Sequence, residues 1–156
     1  MRCVDVCLTH QDFDNYDHKG KIVIVIDVLR ATSTINTLLF LGADHVRPIG
    51  SLEECKSLKD HDYIIMAERL GKKVEGFDYG NSPTKLTEKD IKGKKVAIAT
   101  SNGSKAIIKS EGSEMTILCS FLNIESVINR IKKSESDVIL LCSGWLGKTN
   151  LEDTLC

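Results

Sequence analysis

Several features that would assign this chain to a special class of protein are missing from its sequence. No apolar run approaches the roughly 20 residues that a bilayer-spanning helix needs. The formal net charge is −1 at pH 7, so no basic surface for nucleic acid is indicated. The N-terminal segment alternates in polarity like a strand and lacks the apolar core of a signal peptide. We therefore expect a cytoplasmic protein with no nucleic-acid or membrane partner.

The cysteine motifs of metal and redox sites are also missing. The chain has six cysteines but no Cys-x-x-Cys pair and no histidine-rich partner segment. We expect reduced, structural thiols, because a free cysteine in an apolar strand behaves as a small hydrophobic residue. A cysteine nucleophile at Cys142 is the alternative, although the loop after it lacks the arginine that such a site needs. His10 follows a predicted strand, and we expect it on the surface.

Apolar strands alternate with helical patterns along the whole sequence. This order predicts a single α/β domain over residues 1–156, with a largely parallel sheet between two helix layers (three-layer α/β/α). The predicted strands are 2–8, 22–29, 45–48, 63–67, 95–100, 115–119 and 137–142. The predicted helices are 32–41, 51–59, 87–91, 103–110 and 123–133.

A last helix begins close to the end of the sequence. Thr149 or Asn150 is a suitable N-cap, and acidic residues follow in the first turn. Fewer than two turns remain, and so short a helix is not stable alone in water. We therefore expect residues 1–156 to be the N-terminal portion of a longer chain, truncated at its C-terminus. A docked helical turn is the alternative.

The segment 22–34 carries the strongest functional signal. Five apolar residues without alternation predict a strand covered on both faces, and Asp27 and Arg30 follow it. The hydroxyls of Ser33 and Thr34 lie where a helix begins, a place that favours anions. Arg30 can hold a phosphate or sulfonate with two donors, and Asp27 can hold Mg²⁺. Alternatively, Asp27 and Arg30 pair with each other while Ser33 or Thr34 caps the helix.

Two further predicted strands are followed by polar residues. Glu68 and Arg69 follow a predicted strand, and Asn81 lies in a later turn. The sequence 99–104 repeats the first segment's plan, with Ala-Thr-Ser in both, which suggests two related βα halves. Its loop, Ser101, Asn102 and Gly103, suits amides that point at an anion, although such a stretch is often only a turn.

The final strand leads into Ser143 and Gly144, and Glu152 and Asp153 follow. The two adjacent carboxylates are candidate metal ligands, although such a pair often only favours the first turn of a helix. All of these strands end in polar residues, and ligands bind beyond the carboxyl ends of parallel strands. We therefore expect these side chains to converge on one anion-binding site.

The four segments together resemble the 2-phosphosulfolactate phosphatase family of coenzyme M biosynthesis. The matching stretches are 27–34, 68–69 with 76–83, 100–104, and 142–144 leading to 151–153. Ser101 and Ser104 stand where the family usually has threonines, and family members are longer than this chain. The resemblance implies an Mg²⁺-dependent phosphatase that acts on phosphate esters of small hydroxy acids such as 2-phospho-3-sulfolactate, and a homodimer.

The expected chemistry is metal-assisted hydrolysis of a phosphate monoester. The catalytic residues would be Asp27, Arg30 and Glu68. The metal ligands would be drawn from Asp27, Glu68, Glu152 and Asp153. The substrate-binding residues would be Ser33, Thr34, Arg69, Asn81, Ser101, Asn102, Gly103, Ser143 and Gly144. The competing hypothesis is a non-catalytic domain that binds a small anion with the same turns and needs no metal.

Overall fold

A computed structural model describes residues 2–156, which form an α/β structure. The strands are β1 Val4–Cys7, β2 Ile22–Ile26, β3 His45–Pro48, β4 Tyr63–Arg69, β5 Lys72–Lys73, β6 Lys95–Ala99, β7 Met115–Cys119 and β8 Val138–Cys142. The α-helices are α1 Ala31–Phe40, α2 Leu52–Ser57, α3 Glu88–Ile91, α4 Gly103–Lys109, α5 Ile124–Ile131 and α6 Leu151–Leu155. Short 3₁₀ helices cover Asp12–Asn15, Leu58–His61 and Pro83–Lys85.

The strands form two four-stranded sheets. The first has the order β1-β8-β2-β7 and is parallel throughout. The second has the order β3-β6-β4-β5, in which only β5 runs antiparallel to its neighbour. The α/β class and the largely parallel pairing are therefore confirmed. The structure divides the strands between two sheets, because two of the crossover connections lead from one sheet to the other.

Helices cover both faces of each sheet. In β2, Val23 and Val25 face a cluster that includes Ala106 of α4, while Ile22 and Ile24 face a cluster that includes Val127 of α5. This split follows from the alternation of side chains along a strand. The second sheet is arranged likewise, with α1 and α3 on one face and α2 on the other. Each sheet is thus the middle of an α/β/α sandwich.

Helices α1 and α4 connect the two sheets in opposite directions. Helix α1 leads from β2 in the first sheet to β3 in the second, and α4 leads from β6 back to β7. The two helices contact each other, and six of the ten residues of α1 are buried. The repeated βα units therefore lie side by side between the sheets. Their first turns begin at the same end of the molecule.

Hydroxyl side chains fix both of these strand-to-helix turns. The backbone N–H of Asp27 donates to Thr32 Oγ1 at 3.1 Å, and that hydroxyl donates to the Asp27 carbonyl at 2.8 Å. In the second turn, the N–H of Thr100 donates to Ser104 Oγ at 3.0 Å, and the N–H of Ser104 donates to Thr100 Oγ1 at 2.9 Å. These bonds satisfy buried backbone groups that neither the strand nor the helix can pair.

The short helix α6 is attached to the first sheet by one buried carboxylate. Asp153 is only 1% exposed, and its Oδ1 accepts from the N–H of Val28 at 2.8 Å. Its Oδ2 accepts from the N–H of Gly144 at 3.2 Å and from Ser143 Oγ at 3.4 Å. Asp153 therefore connects the chain segments that follow β2 and β8. In the described residues 2–156, no helix is both long and apolar enough to traverse a lipid bilayer.

Replacing Asp153 with alanine tests this attachment. The Asp153→Ala variant leaves the buried N–H groups of Val28 and Gly144 without an acceptor, so we expect a loss of about 2–4 kcal/mol in the free energy of unfolding. Urea denaturation measures it. The exposed Asp60 supplies the matched control, since Asp60→Ala removes a solvated carboxylate. Equal stability of the two variants would contradict the structural role of Asp153.

Candidate active site

A cavity of about 270 Å³ lies where the carboxyl ends of strands from both sheets meet. Asp27 and Gly144 reach it from the ends of β2 and β8, and Glu68 and Asn102 reach it from the second sheet. The full lining is Asp27, Leu29, Arg30, Glu68, Gly71, Asn81, Asn102, Gly144, Trp145, Asn150 and Glu152.

The structure brings half of the sequence-predicted site residues to this cavity. Those in its wall are Asp27, Arg30, Glu68, Asn81, Asn102, Gly144 and Glu152. Those outside the wall are Ser33, Thr34, Arg69, Ser101, Gly103, Ser143 and Asp153. The predicted convergence of distant segments is present, and several of the remaining residues support the wall from behind.

Asp27 is a buried acid of the wall, with 8% of its surface exposed. Its Oδ1 accepts the first free N–H of α1, from Ala31, at 2.9 Å. Burial raises the pKa of the Asp27 carboxyl to about 6; the Ala31 N–H opposes the rise, and the charge of Asp153 adds to it. Such a carboxylate is ionised at neutral pH and is still a competent proton acceptor.

Gly103 is the reason that Asp27 can occupy this position. A Cβ at residue 103 would lie well inside 3.0 Å of both the Asp27 carboxylate and the Ala31 side chain. Gly103 was predicted as a substrate-binding residue. The structure gives it a packing role, because it lets the first turns of α1 and α4 approach each other around the Asp27 carboxylate.

Glu68 is held by donors from two segments. Its Oε1 accepts from the N–H of Gly71 at 2.6 Å and from Ser101 Oγ at 3.2 Å, and its Oε2 accepts from the N–H of Ser101 at 3.5 Å. Only 8% of the Glu68 surface is exposed. Ser101 therefore orients the Glu68 carboxylate from outside the wall, where the sequence predicted a direct contact with substrate.

Of the two candidate arginines, only Arg30 lines the cavity. Arg30 is half-buried in the wall, where its Nη2 donates to the Gly71 carbonyl at 3.3 Å. Its remaining donors can bind an anion. Arg69 instead donates to the carbonyls of Glu68 and Ala99 and lies outside the wall. The alternative in which Arg30 pairs with Asp27 is not what the structure shows within residues 2–156.

The hydroxyls at the start of α1 also face away from the cavity. Ser33 Oγ donates to the Val28 carbonyl at 2.7 Å, and Thr34 is fully buried. Neither side chain caps the helix, because the carboxylate of Asp27 already accepts the N–H of Ala31. The alternative in which Ser33 or Thr34 caps the helix is therefore not what the structure shows, and neither residue lines the cavity.

Five amides in the turns around the cavity already donate to side chains of the protein. The N–H groups of Val28 and Gly144 donate to Asp153, and that of Ala31 donates to Asp27. The N–H of Ser101 donates to Glu68, and that of Ser104 to a threonine hydroxyl. These five amides are therefore not available to an anion. The N–H groups of Asn102 and Gly103, which the sequence predicted to point at an anion, donate to no acceptor within residues 2–156.

Two amide side chains in the wall have unpaired oxygens; sequence reasoning named Asn81 as a site residue but missed Asn150. Asn81 Oδ1 and Asn150 Oδ1 are buried and have no hydrogen-bond partner within residues 2–156. Asn81 was predicted only as a substrate contact in a turn, and Asn150 only as a helix cap. Asn150 occupies the N-cap position of α6 without making the capping bond, and its Nδ2 donates to Glu152 at 3.2 Å. Unpaired buried acceptors of this kind require a ligand or water.

The cysteine and histidine expectations have different outcomes. Cys142 is a free, buried thiol whose pKa is raised to about 12 by burial and by the charge of Asp153, so no thiolate nucleophile forms there. His10 was expected on the surface, and that was wrong. It is 5% exposed, its Nδ1 lies 2.7 Å from the Ser143 carbonyl, and burial lowers its pKa.

Residues 7–156 match the family model described as 2-phosphosulpholactate phosphatase. The chain belongs to the 2-phosphosulfolactate phosphatase family.

Three curated relatives are each named as a probable 2-phosphosulfolactate phosphatase. The protein of Caldanaerobacter subterraneus is 40% identical over 151 residues, which cover 94% of this chain and 63% of the relative. That of Clostridium acetobutylicum is 38% identical over 98% of this chain and 66% of its own length. That of Thermotoga maritima is 42% identical over 86% and 59%, respectively. The chain thus spans about three-fifths to two-thirds of the length of these relatives.

The donor atoms in the wall of this family member suit a hard cation such as Mg²⁺. Three carboxylates, those of Asp27, Glu68 and Glu152, share the wall with the unpaired amide oxygens, and oxygen atoms are the ligands that Mg²⁺ prefers. Within the described residues, no three acidic, histidine or cysteine side chains are gathered into a complete metal cage. Mg²⁺ commonly takes one or two carboxylates and completes its shell with water and phosphate oxygens.

A methyl group at residue 103 tests the packing around Asp27. Because the new Cβ would overlap the Asp27 carboxylate and Ala31, we expect Gly103→Ala to lower the free energy of unfolding by about 1–3 kcal/mol. Gly50→Ala is the matched control, since its Cβ meets only Ile108 Cδ1 at 3.4 Å. Chemical denaturation of both variants gives the comparison. A Gly103→Ala variant as stable as Gly50→Ala would show that the contact is not tight.

Replacing Asp27 with asparagine tests the cost of burying its charge. The folded-state pKa of about 6 exceeds the ordinary value of 3.8, so the stabilisation is complete below pH 3.8 and is lost as the pH rises through 6. Asp27→Asn lacks this loss. Relative to the unmodified chain it should gain up to about 3 kcal/mol between pH 4 and pH 7.

Urea denaturation in EDTA at several pH values measures this difference without interference from bound metal. Asp60→Asn is the control, and its difference from the unmodified chain should not change with pH. A pH-independent difference for Asp27→Asn would mean that the Asp27 carboxyl titrates normally.

Proposed function

We propose that this chain forms the active site of an Mg²⁺-dependent phosphatase. Its substrate would be 2-phospho-3-sulfolactate or a related phosphate ester of a small hydroxy acid, and its products the hydroxy acid and phosphate. Membership of the family supports the reaction class. The names of the relatives, probable 2-phosphosulfolactate phosphatases, support the proposed substrate. The observation that carries the proposal is the composition of the cavity wall, with its carboxylates, unpaired amide oxygens and single guanidinium.

The charge of this wall favours a cation. Three carboxylates face one guanidinium, that of Arg30, so a phosphate group alone would be repelled. Two unit charges 4 Å apart interact by about 4 kcal/mol at an effective dielectric constant of 20, which is enough to decide binding. The amides of Val28, Ala31 and Gly144 do not offset the repulsion, since they donate to side chains of the protein. A divalent cation held by these carboxylates would offset the repulsion and would supply positive charge for the phosphoryl oxygens.

The position of each residue in the wall suits it to a different role. Glu68 and Glu152, with the amide oxygens of Asn81 and Asn150, would hold the metal. When bound, Mg²⁺ would polarise the phosphoryl group and position the attacking water. Arg30 would bind the phosphoryl oxygens through the donors that Gly71 leaves free.

Asp27 would accept the proton of the attacking water. It lies deep in the wall, is shielded from solvent, and is ionised at neutral pH with a pKa near 6. Asp153 supports this arrangement from behind, because it fixes the N–H groups of Val28 and Gly144 on either side of the Asp27 turn.

Phosphate release from 2-phospho-3-sulfolactate by the complete reading frame tests the proposal. We expect turnover with Mg²⁺ and its loss in EDTA. Asp27→Asn should reduce kcat at least 100-fold while ligand binding, measured by calorimetry, is retained. Asp60→Asn should be fully active. Binding of the ester without release of phosphate under any metal condition would favour the anion-binding domain instead.

A further inference from the structure

A second cavity, of about 420 Å³, adjoins the candidate active site. The two share three wall residues, Arg30, Gly71 and Asn81. The rest of the second wall comes from β5 and from residues 78–85, and it includes two lysines, Lys73 and Lys85. A ligand in the first cavity can therefore extend into the second past Arg30 and Asn81.

The second cavity has the opposite charge to the first. Its cations are Arg30, Lys73 and Lys85, and its acid is Asp78. The Asp78 carboxylate is already occupied, since it accepts from Lys59 Nζ at 3.0 Å and from a backbone N–H at 3.0 Å. Its negative charge is thus offset by a lysine outside the wall, and the cavity keeps an excess of positive charge.

The two lysines of this wall are available to a ligand. Lys73 Nζ donates to the Asp78 carbonyl at 3.0 Å, while the Asp78 carboxylate, whose pKa Lys59 and Lys73 both lower, takes its direct ionic contact from Lys59. Among residues 2–156, neither Lys73 nor Lys85 forms an ion pair with a carboxylate. Gly80 permits the close approach of the two chain segments, because a Cβ there would lie 3.0 Å from Lys73 Cβ.

An unpaired polar atom lies at the junction between the two cavities. Asn81 is 4% exposed and belongs to both walls, and its Oδ1 has no partner in the described part of the chain. A buried amide oxygen without a donor costs free energy until a ligand or a water donates to it. Because an amide oxygen does not bind an anion, this acceptor marks the edge of the proposed metal site, and the lysines beyond it carry the positive charge of the second cavity.

We propose that the second cavity binds a second, non-reacting anionic group of the substrate through Lys73 and Lys85. The proposal rests on the proposed function, in which the phosphoryl group and its metal occupy the acidic cavity. The remote group, a sulfonate in 2-phospho-3-sulfolactate, then lies in the basic cavity. Arg30 lies at the junction, within reach of both anions. The two lysines would therefore determine specificity for esters that carry this extra charge.

Two esters that differ only in the remote group provide the test. 2-Phospho-3-sulfolactate carries the sulfonate, and 2-phospholactate has a methyl group in its place. In the double variant Lys73→Gln/Lys85→Gln we expect the ratio of kcat/KM for the two esters to fall about tenfold. The change should appear mainly in KM, because the lysines do not touch the reacting atoms. Both lysines are exposed, so the preference should weaken as salt is added.

Lys72→Gln is the matched control. Lys72 is the exposed neighbour of Lys73 in β5 and lines neither cavity, so its loss should leave the ratio unchanged. A ratio that is also unchanged in the double variant would overturn the proposal while the phosphatase remains.

Calorimetric binding of 3-sulfolactate and of lactate gives a readout that needs no turnover. A lysine-dependent preference for 3-sulfolactate supports the second cavity even if no ester is hydrolysed, in which case the proposed function alone fails. Equal binding of the two acids by the unmodified protein overturns the second-cavity proposal.

Discussion

The site depends on one buried charge at the place where two helices begin. The carboxylate of Asp27 accepts an N–H at the start of α1, and the glycine at the start of α4 leaves room for it. Helices α1 and α4 are also the two connections through which the chain crosses from one sheet to the other. The same contact therefore holds the sheets together at one end and places an acid with a raised pKa in the cavity.

Opposite charge in adjoining cavities is the second organising feature. Acids and amide oxygens surround one space, and lysines surround the next, with Arg30 in both walls. A single anion fits the basic space alone, and a cation fits the acidic space alone. A ligand that carries several negative charges and is accompanied by a metal can occupy both the acidic and the basic cavity. This arrangement is physically more selective than a uniformly basic pocket, which would accept any anion.

The sequence predicts the class of fold and the ends of the strands better than the direction of individual side chains. Glu68 and Arg69 are adjacent in β4, so they point to opposite faces, and only Glu68 reaches the cavity. The hydroxyls of Thr32, Ser33 and Ser104 bond the backbone, whereas that of Ser101 bonds the Glu68 carboxylate. The number of sheets was not predictable, because helical periodicity does not say which sheet the next strand joins. The unpaired oxygen of Asn150 depends on tertiary contacts and leaves no local pattern.

The occupied turn amides bear directly on the proposed role of a metal at this site. In a glycine-rich phosphate loop the amides are free and supply the positive potential themselves. Here the comparable turns carry acids and hydroxyls, which accept those same N–H groups. The result is a rigid wall whose electrostatic character is negative. Such a wall can orient a hydrated cation and take a proton from its water, but it cannot attract phosphate unaided. The residues at the carboxyl ends of the strands, Asp27 and Glu68 above all, determine which of these two kinds of site forms.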